Sequence, residues 1–137
     1  MEVRARVVGP KDDEGHVGIL GFAIDPGGSA SALRMQVDLT DVSQNGSGTD
    51  VVATGANDDA MHTYRIAYIY ADDYYFVWRD GVLIYGDNTD IGIRGTNGGF
   101  SNSGATWIGD FSGSLSGEWE IDYIRFHDSA VAPVTAP

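Results

Sequence analysis

The run from His62 to Tyr85 constrains the fold most, because almost every residue in it is aromatic, β-branched or a turn former. His62–Tyr70 (HTYRIAYIY) and Tyr74–Arg79 (YYFVWR) have the composition of strands, joined across Ala71-Asp72-Asp73. Asp80-Gly81 then separates Trp78-Arg79 from Val82–Tyr85, and this dipeptide favours a two-residue hairpin turn with both φ angles positive. The pattern predicts a three-stranded meander over Thr63–Tyr85. Elsewhere the chain alternates. Glu2–Val8 sets Val3, Ala5 and Val7 on one face against Arg4 and Arg6 on the other, the mark of a half-buried strand. His16–Ile24, Ala32–Leu39, Val51–Thr54, Ala105–Gly109 and Glu118–His127 are further strand candidates, with loops expected over Asp41–Asp50 and Gly95–Gly104. No segment carries a helical period. About ten short strands separated by turns predict an all-β antiparallel sandwich.

Composition supports that reading. Nineteen glycines, and 16 Asp against 4 Glu, make a poor helix-forming and a good turn-forming mixture. The 137 residues are enough for one domain with one core. The net charge of −12 argues against nucleic acid and anionic membranes, whose phosphates need clustered Lys and Arg. With no Cys, disulfides, thiol chemistry and Cys-ligated metals are excluded. No apolar run approaches the ~20 residues of a membrane-spanning helix. Residues 1–128 are expected to form the domain, and the Pro- and Ala-containing stretch 129–137 reads as a tail or the start of a linker. Met1 lies directly against a strand with no signal peptide, so the chain reads as a module of something longer.

Three stretches resemble the concanavalin A-like (laminin-G-like) lectin/glucanase superfamily. Met61-His62-Thr63-Tyr64-Arg65-Ile66 is similar to its "W-H-x-Y-R-I" strand, and Val77-Trp78-Arg79-Asp80-Gly81-Val82-Leu83-Ile84 to its "V-Y-V-D-G-V-L" strand. Trp119-Glu120-Ile121-Asp122-Tyr123-Ile124-Arg125-Phe126 resembles the closing "I-D-Y-V-R-V-Y" strand, and Glu2–Val7 an early "V-E-A-R-V" strand. The order covers most of the chain. The resemblance implies a jelly roll of two curved antiparallel sheets, with ligands on a concave face or loop rim. It also implies an extracellular or cell-surface setting. The superfamily holds lectins, carbohydrate-binding modules, endoglucanases and adhesion modules, so the fold by itself fixes no activity.

Four sets of residues carry candidate chemistry. Glu118, Glu120 and Asp122 fall at alternate positions, so a regular strand sets them on one face and Ile121 and Tyr123 on the other. Glu120-Ile121-Asp122 resembles the start of the laminarinase motif E-I-D-x-x-E, but Arg125 stands where the acid/base Glu belongs. Paired carboxyls for glycoside cleavage are therefore incomplete. By the same resemblance, Asp122 matches a ligand of a structural calcium ion, and Asp41-x-Ser43-x-Asn45-Gly46 is similar to half a calcium loop, with Val52 in place of the closing Glu. Sugar recognition wants flat rings and planar hydrogen-bonding groups. Tyr75 and Arg79 share a face of their strand and are expected, with Arg65, to form a solvent-facing ligand surface. Tyr64, Ile66, Tyr68, Phe76 and Trp78 are expected in the core. Trp107 and Trp119, beside Gly-rich loops, are further ligand candidates. No nucleophile elbow, zinc-protease helix, phosphate loop or dinucleotide fingerprint is present.

The sequence thus points to a non-catalytic carbohydrate-binding or adhesion module, for which the negative charge favours neutral polysaccharides over anionic ones. A structural or protein–protein interaction module of a bacterial surface or particle protein is the alternative. A trimmed glycoside hydrolase comes third.

Overall fold

The computed structural model describes residues 1–9, 20–25, 33–44, 50–69, 74–85, 104–109 and 118–127. Among them are ten strands and no helix: β1 (Glu2–Gly9), β2 (Leu20–Ile24), β3 (Leu33–Val37), β4 (Asp41–Gln44), β5 (Asp50–Thr54), β6 (His62–Ile69), β7 (Tyr74–Arg79), β8 (Val82–Tyr85), β9 (Thr106–Gly109) and β10 (Glu118–Arg125). They form two five-stranded antiparallel sheets, ordered β10-β1-β6-β7-β8 and β5-β4-β3-β2-β9. The chain is a β-sandwich, as the alternation predicts. The expected loop over Asp41–Asp50 is shorter than read: β4 occupies its start, and β5 opens on Asp50. The tail at 129–137 and the expected loop at 95–103 lie outside the described residues.

The core lies between the sheets. From the first come Val3, Ala5, Val7, Tyr64, Ile66, Tyr75 and Val77; from the second, Leu20, Phe22, Leu33, Met35, Val37 and Val42. The aromatic contact Phe22–Tyr64, with centroids 5.9 Å apart, spans the two layers. So do two tyrosine hydroxyls, Tyr75 donating to the Ile24 carbonyl at 3.2 Å and Tyr85 to Gln44 Oε1. A phenol at such a position buries a large ring while its hydroxyl still finds an acceptor.

One buried asparagine ties the sheets together. Asn57 Nδ2 donates to the Asp38 and Asp41 carbonyls at 2.8 and 3.1 Å, beside β4 of the second sheet. Its Oδ1 accepts from Tyr64 Oη at 2.7 Å, and its carbonyl accepts from the Val7 amide at 3.0 Å, both in the first sheet. Its own amide donates to Leu39 O at 2.9 Å, so its side chain and backbone are all paired.

The turn after β7 has the predicted form, with Asp80 at φ 50° and Gly81 at φ 80°. Asp80 Oδ1 accepts from the Thr63 amide at 2.9 Å, and the Asp80 amide returns a bond to the Thr63 carbonyl at 2.8 Å.

Candidate functional site

Register decides which side of each sheet a candidate occupies. β6 pairs with β7 so that Tyr64 faces Arg79, Ile66 faces Val77, and Tyr68 faces Tyr75. Directly opposed residues share a face, so Tyr75, Val77 and Arg79 lie on the core side with Tyr64 and Ile66. Arg65, Ala67 and Ile69 oppose Trp78, Phe76 and Tyr74 on the outer side. The expected surface of Arg65, Tyr75 and Arg79 therefore does not form; Phe76 and Trp78 lie on the outer side, where Phe76 is nonetheless buried and Trp78 half-buried. Their rings stack on each other outside, 5.8 Å apart and 24° from parallel. The physical reason is that YYFVW is apolar on both faces, so a one-residue difference in hairpin register exchanges them.

Each of the remaining candidates then has a definite place. Tyr75 is 0 % exposed. Arg79 sits at the core-side rim, where its guanidinium donates to the Ala56 carbonyl and lies 3.1 Å from His62 Nε2. It leaves so little room that a Cβ on Gly55 would come within 3.0 Å of it. Arg65 is buried on the outer side between Glu2 and Trp78, its cross-strand neighbours, with Glu2 3.8 Å away. Trp119 opposes Val7 on the core side and packs against the core, its Nε1 buried without a hydrogen-bond partner. Trp107 alone of the three tryptophans lies on the outer side of the second sheet.

The carboxylates on β10 are likewise engaged. A bulge opposite Arg4 and Ala5 leaves Asp122 as the extra residue, so Tyr123, and not Ile121, shares the acidic face. This corrects the regular alternation expected for the strand. Asp122 Oδ2 accepts from Arg4 at 2.5 Å and Glu120 Oε2 from Arg6 at 2.7 Å, while the Tyr123 hydroxyl donates to Glu2 Oε1 at 3.0 Å. A cation at Asp122 would have to displace the Arg4 guanidinium. Among the described residues no group of three or more acidic or His side chains is placed to hold a metal. Of the half calcium loop, Asp41 and Ser43 belong to strand β4, and Asn45 and Gly46 lie outside the described residues.

The second sheet's outer face brings an indole, a guanidinium and a primary amide into adjacent rows. Trp107 on β9, Ala23 on β2 and Arg34 on β3 oppose one another in one row across three strands. Gly109, Gly21, Gln36, Ser43 and Val51 form the adjacent row across all five. Glycine at two of these positions and alanine at a third give the rows little side-chain height between an indole on one side and a guanidinium and a primary amide on the other, and Gly21, Ala23, Gln36 and Ser43 are all buried. Gln36 is 2 % exposed, and among the described residues its Oε1 has no hydrogen-bond partner. A buried amide oxygen without a partner is uncommon, because leaving it so costs ~1–3 kcal/mol. Arg34 and Gln36 are not among the candidates the sequence offers, and Ser43 is one only as part of the half calcium loop. The alternation of Arg34 and Gln36 with Leu33, Met35 and Val37 was the signal, since it set both on the face opposite the core.

No protein-family model matches the chain, and neither a curated protein nor a solved structure is similar to it.

Proposed function

We propose that this protein is a non-catalytic module that binds neutral glycans on the outer face of its second sheet. The observation that carries the reading is the pair of rows Trp107–Ala23–Arg34 and Gly21–Gln36–Ser43. An indole offers its face to the C–H side of a sugar ring, and a planar guanidinium and amide match pairs of hydroxyls. The resemblance to the concanavalin A-like superfamily supports the same reading, together with an extracellular setting and a jelly-roll topology. The net charge of −12 favours neutral chains over sulfated or uronic-acid polymers. Catalysis has less support: Glu120 and Asp122 are both held by arginines, and Arg125 occupies the position of the missing acid.

The test is a glycan array on the purified protein with calcium and again with a chelator, followed by titration calorimetry on the best ligand. Trp107→Ala is expected to weaken binding about tenfold or more, the worth of a lost ring contact and its buried area. Arg65→Ala, on the other sheet, is expected to leave affinity unchanged. Binding lost only with the chelator would redirect the site to the Asp-rich loops and a structural calcium. No binding to any neutral glycan would remove this reading and leave the interaction module in its place.

A further inference from the structure

Among the described residues, strand β10 is an edge strand of the first sheet, eight residues long, and it exposes an unusual amount of apolar surface. Ile121 is 42 % exposed, Ile124 38 % and, just beyond the strand, Phe126 67 %. Ile121 and Ile124 oppose Ala5 and Val3, so they lie on the core side of a strand at the rim of the sandwich. A long edge with exposed apolar side chains is a template for another strand.

We propose that β10 pairs antiparallel with β10 of a second copy of this chain, across a two-fold axis at the bulge. The partner follows from the pattern of the strand itself. Because the bulge sets Asp122 and Tyr123 on the same side, Trp119, Ile121 and Ile124 face inward, and Glu120, Asp122, Tyr123 and Arg125 face outward. From Glu120 to Arg125 this arrangement is symmetric about the midpoint of Asp122 and Tyr123. Pairing there sets Ile121 against Ile124 of the second copy on the inner side. On the outer side, Glu120 meets Arg125 of the second copy, and the exchange is repeated by symmetry. Registers centred elsewhere are penalised, since one puts Glu120 against Glu120 and another Arg125 against Arg125. The Arg6 partner of Glu120 does not prevent the contact, because a carboxylate accepts from more than one guanidinium. A single strand pair buries less than a standard interface, so the association is expected to be weak and concentration-dependent.

Sedimentation equilibrium over roughly micromolar to millimolar chain concentrations tests this. The wild type is expected to shift from monomer towards dimer, and Ile124→Lys to stay monomeric while keeping its β-sheet circular dichroism. The decisive arm uses two charge variants. Arg125→Glu alone sets glutamates against glutamates, and Glu120→Arg alone sets arginines against arginines, so each is expected to remain monomeric. Mixed in equal amounts, the two should associate, because both charge contacts are then attractive again. A wild type that stays monomeric throughout would overturn the proposal, as would a dimer that none of these substitutions weakens or a mixture that fails to associate.

Discussion

Single side chains at the end of the sandwich, where the segment after β5 returns to β6, hold more of the structure together than their exposure suggests. Asn57 bonds two carbonyls and one phenol, of which the Asp41 carbonyl also accepts from the Asp38 amide. Asn57→Ala is expected to cost about 3 kcal/mol in denaturant unfolding, since it strands several buried polar groups. Tyr64 shares this site. Burial of its ring pushes its pKa up to about 12, against the opposing pull of the neighbouring Arg79. A raised folded value means the contribution is whole below the ordinary tyrosine value near 10 and is lost as pH climbs towards 12. His62 lies close by, with Nδ1 2.7 Å from Asp80 and Nε2 2.9 Å from Asp59. The hydrogen bond from His62 holds the Asp59 carboxyl below its ordinary value of 3.8. The sign is opposite here: stabilisation is present above 3.8 and is lost as pH falls through the lower folded value. Unfolding followed against pH should therefore show a shallower acid limb in Asp59→Asn than in the wild type.

Among the elements, the β7–β8 hairpin depends most on one dipeptide. Asp80 and Gly81 both take positive φ, a conformation that glycine adopts freely and aspartate tolerates. Gly81→Val should cost about 1–2 kcal/mol, because a β-branched residue is strained there. Asp80→Asn is expected to cost less than Asp80→Ala, since an amide oxygen can still accept from the Thr63 amide. At the other end of the same sheet the β10 bulge has the larger consequence. It turns Tyr123 to the side of Glu2 and makes the inward and outward positions of the strand symmetric about its centre.

Considered as a whole, the molecule assigns its three kinds of surface to separate tasks. The space between the sheets takes Tyr75 and Trp119, so substitutions there measure stability. Tyr75→Ala is expected to destabilise by about 3–5 kcal/mol, as large-to-small changes of a buried aromatic do. Any binding that variant loses through unfolding should return as ligand is raised, because ligand draws the folded state by mass action, and a melt will show the lower stability. The outer face of the first sheet is occupied by ion pairs, with Arg4, Arg6 and Arg65 each beside a carboxylate. The outer face of the second sheet keeps a ring, a guanidinium, an amide and a hydroxyl in adjacent rows, and the proposed glycan binding rests there.

The amino-acid sequence by itself determined the strands. Alternation, glycine content and the Asp80-Gly81 turn place every strand but β4 within a few residues of where it stands, because period and turn chemistry are local properties, whereas β4 falls in a stretch that reads as a loop. It also separated faces wherever one side was polar, as in β1, where Val3, Ala5 and Val7 lie inward as read. Only the tertiary structure decided the faces of β7, where both sides are apolar and the pairing with β6 alone selects the one that meets Phe22. The same holds for Trp107 and Trp119. Each sits near glycines close to the end of its strand, and the partner strands send one outward and the other inward. The rows on the second sheet join Trp107, which the sequence offers as a candidate, to Arg34 and Gln36, which it does not and which lie on a strand distant in the chain. Hydrogen bonding between neighbouring strands brings them into register, and no spacing along the chain encodes which strands become neighbours.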